Sequence, residues 1–168
     1  MQKIHKMPLD KSEIKPITDV LGYAVMDSQK LEYSIAFLML LVNNELILSS
    51  NEQNEKIDNY MLQLSKKTLG LLIRQLQGIS TVSQGFIEKL NAALDARNYL
   101  IHKFFNDQGE NMLTIEGRKE ALRIAKEKRK ILYDCYNFLD PFIQNLMTLR
   151  GMNYENVLNS LSKEYKKG

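Results

Sequence analysis

The chain has 168 residues, 44% of them hydrophobic and 26% charged, with a net charge of +3. That length supports one domain with its own core, and the apolar content is too high for a disordered chain. Three prolines and eight glycines among many Leu, Lys, Glu, Gln, Met and Ala residues favour helix over sheet.

Residues 1–17 carry Pro8 and Pro16 without a clear period and read as a flexible N-terminal arm. Thr18 or Asp19 then caps a long first helix, running to about Leu48, with Ala24, Leu31, Ile35, Leu38, Val42 and Leu46 on one buried face. The polar segment SSNEQNE separates it from a second helix that Asn54 caps, carrying Ile57, Met61 and Leu64 and extending towards KKTLGLLIRQL. Gly70 interrupts that pattern, and Gly78 with Ser80 reads as a loop. A third helix runs from Thr81 or Ser83 to Phe105, and the NDQGEN stretch closes it. The fourth starts near Thr114, has Glu116 in its first turn and reaches at least Leu139, with a kink expected at Pro141. A last amphipathic helix is expected around Tyr154, Val157, Leu158 and Leu161. Together these give an all-α, up-and-down bundle of about five helices, with residues 18–168 forming a single domain.

Cys135 is the single cysteine, so no intrachain disulfide is available, and the N-terminus has charge and Pro8 where a signal peptide needs an apolar stretch. A cytoplasmic location is the expectation. Apolar runs such as Ala36 to Val42 fall short of the roughly 18 residues needed to span a bilayer, which argues against a membrane role. Two histidines, one of them His5 in the arm, and one cysteine supply no zinc constellation, and glycine-rich phosphate loops are absent from the sequence. No cofactor is implied.

The chemistry concentrates in the third helix. On a wheel of about 100° per residue, Phe86, Leu90, Leu94, Ile101 and Phe104 form a stripe that includes Arg97, with Asn98 and His102 together on its flank. A guanidinium on an apolar face needs a carboxylate, a phosphate or a wet cleft, because Arg does not shed its charge. Two bland readings stand beside a site: Arg97 paired with Glu32 of the first helix, and His102 as a helix-end residue favoured by the dipole.

Downstream, residues 118–130 hold seven cations, Arg118, Lys119, Arg123, Lys126, Lys128, Arg129 and Lys130, against Glu120 and Glu127. Such a stripe can track an RNA backbone or simply be a solvated face. Tyr133, Tyr136 and Phe138 could stack bases, although their spacing fits core packing better.

ALDARNYLIHKFF, Ala93 to Phe105, resembles the signature of the HEPN superfamily: an arginine, a polar residue, a short apolar run and a histidine late in a long helix. Arg97, Asn98 and His102 match those positions, and the helix order over residues 19 to 150 is similar. The resemblance implies metal-independent RNA cleavage at a composite site where two protomers join their motif helices, with 2′,3′-cyclic phosphate products. His102 would move protons, Arg97 would stabilise phosphorane charge and Asn98 would orient the phosphate or the histidine. It further implies a toxin or phage-defence effector, an RNA substrate, a homodimer and possible control by an antitoxin protein. Some HEPN toxins carry a modifiable tyrosine two residues after the histidine; here that position is Phe104, which argues against that mode of control. Non-catalytic members of the superfamily exist too, so the alternative is a nucleotide- or RNA-binding or regulatory interaction module.

Overall fold

The computed structural model describes residues 11–43, 51–79 and 82–152. Nearly all of them are helical: α1 (Lys11–Val42), α2 (Asn51–Ser65), α3 (Leu69–Ile79), α4 (Gln84–Asn98), a π-helical turn (Tyr99–Lys103), α5 (Phe104–Gln108), a 3-10 turn (Asn111–Leu113) and α6 (Ile115–Leu149). Among the described residues there is no strand, and no helix is long and apolar enough to cross a membrane. The helix expected around Tyr154 to Leu161, and His5, lie outside the described residues.

Local chemistry sets several helix ends. Ser83 caps α4: its Oγ accepts the Phe86 N–H at 3.3 Å, and its carbonyl accepts the Phe86 and Ile87 N–H groups. Thr114 does the same for α6, taking the Gly117 N–H on Oγ1 at 3.0 Å and the Arg118 N–H on its carbonyl. At the far end Gly151 adopts φ 69°, and the Gly151 and Met152 N–H groups return to the carbonyls of Thr148 and Met147. That pairing is a Schellman stop, which glycine enters without the steric penalty of a Cβ.

Several boundaries differ from expectation, among them the start of α2, which lies at Asn51, so that Asn54 is inside that helix and does not cap it. Helix α1 is already helical at Lys11, the first of the described residues, and not only from residue 18, and it runs through Pro16. The missing N–H of Pro16 forgoes one backbone bond within the helix, while Ile17 and Val20 just beyond it are buried. Thr18 and Asp19 are therefore helix-interior residues: Thr18 Oγ1 donates to the Lys15 carbonyl at 2.9 Å, and Asp19 pairs with Lys15 at 2.6 Å. Between α2 and α3 the chain breaks at 66–68, where the Thr68 carbonyl accepts the Leu71 and Leu72 N–H groups and starts α3; Gly70 and Gly78 both lie inside that helix. The motif helix passes the expected stop at Phe105 and ends with Gln108. Helix α6, expected to reach at least Leu139, runs to Leu149 with Pro141 inside it.

The described residues group into two compact units, one of residues 11–28 and 92–133, the other of 29–43, 51–79, 82–91 and 134–152. In the first unit Ile17, Val20 and Ala24 of α1 and Ala121, Ala125 and Leu132 of α6 are buried at helical spacing. Asp27 is buried there too, and Arg129 Nε donates to its Oδ2 at 2.8 Å while the guanidinium lies 4.8 Å from the Tyr23 ring centre. In the second unit Leu31, Ile35 and Met39 of α1, Leu69, Leu72 and Leu76 of α3, and Leu139 and Met147 of α6 are buried. Phe86, Phe138 and Phe142 form an aromatic cluster there, with centroids 5.1 to 5.5 Å apart.

Candidate functional site

Helix α4 keeps α geometry from Gln84 to Asn98, with Leu90, Ala93 and Ala96 buried. At Tyr99 it widens, and the Phe104 N–H donates to the Tyr99 carbonyl five residues back. This widening decides which side chains meet. At about 100° per residue, five α-helical residues end about 140° beyond a full turn, so Arg97 and His102 would face apart. An i→i+5 turn brings residue i+5 back over residue i. Arg97 Nη1 accordingly lies 3.1 Å from His102 Nε2, and it donates to Asn98 Oδ1 at 3.2 Å. Because the guanidinium keeps its protons, that contact is a hydrogen bond when Nε2 carries the imidazole lone pair and the ring proton sits on Nδ1.

The same turn revises the buried stripe. Ile101, which the uniform wheel placed inside it, is exposed, whereas Leu100 is buried and Phe104 is only 1% exposed. Phe104 packs edge-on against Tyr99, with centroids 6.2 Å apart, and against Phe105 at 5.5 Å.

Asn98 and His102 open onto a cleft of about 580 Å³ that Asp95, Tyr99, Lys103 and Lys128 also line. Lys128 Nζ stands 5.5 Å from the Tyr99 ring centre. Behind the tyrosine, Gln108 Nε2 donates to the Tyr99 hydroxyl at 2.8 Å, and Asn111 Nδ2 donates to Gln108 Oε1 at 2.8 Å. Sequence reasoning passed over Tyr99, Lys103, Gln108 and Asn111. Lys128 had appeared only as one cation of a stripe.

That stripe divides in the structure. Arg118 donates to the Met112 carbonyl at 2.8 Å and pairs with Glu13. Arg123 bridges Glu120 and Glu127 on the exposed surface, which holds Glu120 below the usual carboxylate range and raises the guanidinium further. Arg129 is committed to buried Asp27. Lys126 and Lys130 line a separate cavity of about 390 Å³ with Val20, Arg129 and Tyr133. Tyr133, for which core packing was the better expectation, is exposed; Tyr136 and Phe138 are half-buried.

Glu32 belongs to the other unit, where it is half-buried and borders an apolar cavity of about 430 Å³ with Tyr33, Met61, Leu64 and Leu72. Burial pushes the Cys135 thiol up to about 11, Lys89 opposing only weakly, so it is not a ready nucleophile at neutral pH. Among the described residues no group of three His, Cys, Asp or Glu side chains is placed to hold a metal ion. In comparisons with known proteins, no family model, no curated protein and no solved structure matches the chain.

Proposed function

We propose that this chain is a HEPN-like, metal-independent endoribonuclease that works as a homodimer, of the toxin or phage-defence kind by analogy with that superfamily. The observation that carries the reading is the 3.1 Å contact between Arg97 Nη1 and His102 Nε2, formed by a local widening of the helix beside a cleft with Lys103 and Lys128. A fixed cation and a proton-exchanging imidazole, held together at the edge of a basic cleft, suit attack on a phosphodiester.

On substrate binding, a phosphate oxygen replaces His102 as the acceptor of the Arg97 N–H, which frees Nε2. The imidazole then takes the ribose 2′-hydroxyl proton as the 2′-oxygen bonds to phosphorus. The bond from phosphorus to the 5′-oxygen breaks, and that oxygen takes a proton from the protonated His102 of a second copy. The products are a 2′,3′-cyclic phosphate and a free 5′-hydroxyl, and no cofactor enters the balance. Apolar exposure beside the site supports the second copy: Phe105 is 58% exposed, Leu113 68% and Ile101 38%. An antitoxin protein, if one controls the enzyme, acts by covering the cleft, since the residue two after the histidine is the buried Phe104.

A second reading, a non-catalytic nucleotide- or RNA-binding or regulatory module, is favoured by Arg97's existing bonds to Asn98 and His102: a guanidinium held within its own turn can be structural. Incubating purified protein with total RNA in EDTA separates the two. The ribonuclease reading expects cyclic-phosphate ends, and His102→Ala should cleave about 10²- to 10⁴-fold more slowly while still folding. Cleavage that stops in EDTA, or an alanine variant as fast as wild type, leaves the binding module in front.

A further inference from the structure

Gln108 is 7% exposed, and each end of its amide is spoken for. Its Oε1 accepts the Asn111 Nδ2–H at 2.8 Å, which turns Nε2 towards Tyr99, and Nε2 donates to the tyrosine hydroxyl at 2.8 Å. A hydroxyl that accepts in this way retains its own proton for another acceptor. Among the described residues no group takes that proton. The ring is also fixed, edge-on to Phe104 at an interplanar angle of 89° and beneath Lys128 Nζ. Tyr99 lines the same cleft as Asn98, His102, Lys103 and Lys128.

The geometry points to Tyr99 as a substrate-binding donor: its hydroxyl hydrogen-bonds a phosphate oxygen of RNA in the cleft, while Gln108 and Asn111 act as positioning residues. The inference rests on the ribonuclease reading and adds to it a neutral donor in the cleft that His102 also lines. Phosphate oxygens only accept, so a cleft meant for them gains from a hydroxyl whose lone pair is already occupied by a buried amide. Sequence spacing does not expose this role, because Gln108 lies nine residues from Tyr99 and reaches it only through the wide turn and α5.

Two substitutions test it, read by RNA cleavage and by affinity for a 2′-deoxy oligonucleotide, which cannot be cleaved through this route. Tyr99→Phe keeps the ring and removes the donor; it should lose about 10- to 100-fold in both readouts at an unchanged melting temperature. Gln108→Glu keeps the tyrosine but places a group behind it that only accepts, so the hydroxyl proton is drawn away from the cleft and a similar loss is expected. Tyr99→Phe with wild-type binding and cleavage overturns the inference even if Gln108→Glu fails to fold. A folded Gln108→Glu with wild-type behaviour also overturns it, because the hydroxyl would then already be donating to residue 108. Wild-type protein that binds the deoxy oligonucleotide with the Tyr99 dependence but cleaves no RNA sinks the ribonuclease reading and leaves the Tyr99 contact standing. Wild-type protein that binds none overturns the contact itself.

Discussion

Arginines of similar appearance in the sequence differ in what their neighbours ask of them. Arg129 meets the buried Asp27 carboxylate and covers the Tyr23 ring, so its guanidinium compensates a charge that has been taken out of water. Removing one partner of such a pair strands the other, at a cost of about 3 kcal/mol. Arg129→Ala should therefore lower stability by that order in urea denaturation, and the double change with Asp27→Asn should recover part of it. Arg123, by contrast, holds two exposed glutamates on its own helix, and its replacement by alanine should leave the denaturation midpoint near wild type. Equal losses for the two alanine variants would contradict this division. Either result bears on RNA binding, because a guanidinium bonded to a carboxylate contributes less to a polyanion than its formal charge suggests.

Glycines divide the same way at the level of helices. Gly22, within α1, is exposed, and a Cβ there would meet nothing within 4 Å, so Gly22→Ala should stabilise the chain by about 0.5 to 1 kcal/mol. Gly117, in the first turn of α6, is where the backbone of Asn111 comes close: an added Cβ would lie 2.7 Å from Asn111 Cα and 2.8 Å from Thr114 Oγ1. Gly117→Ala should destabilise and, by moving Asn111, disturb the Gln108 and Tyr99 chain; thermal melts of the two variants that shift in the same direction would refute the contrast. Neither glycine was singled out in the sequence, since nothing local separates a spare helical glycine from a required one. What was legible followed from local rules. Ser83 and Thr114 start helices through bonds to residues three and four positions on, and Arg97, Asn98 and His102 stood out as polar groups late in an apolar helix. The wide turn was not legible, because a wheel at fixed pitch cannot show where the pitch changes, and it put Ile101 inside the stripe with Arg97 and left His102 on the flank. Pro16 misled by the reverse route: read as part of an irregular arm, it lies inside α1, where buried Ile17 and Val20 follow it. Tyr99, Lys128, Gln108 and Asn111 needed tertiary geometry to be seen together.

For the molecule as a whole, the proposed dimer makes the exposed phenylalanine beside the site the most informative residue. Phe105→Glu should leave the helices intact, because that side chain faces solvent, and should shift the chain to monomer in light scattering at micromolar concentration with loss of cleavage. A wild-type monomer that cleaves RNA would remove the need for a second copy. The π turn has a further effect on how the protein responds to heat. Its i→i+5 bonds are held in a geometry that an isolated helix rarely chooses, so the stretch from Tyr99 to Lys103 should open more readily than the longer α-helical runs of α4 before it and of α6 beyond α5. Warming should let this short stretch slip into ordinary α pitch or open before those helices melt, which rotates His102 away from Arg97 while the far-ultraviolet signal hardly changes. Loss of the proposed RNA cleavage should then precede unfolding by several degrees and reverse on cooling, with the helix itself serving as the part that fails first.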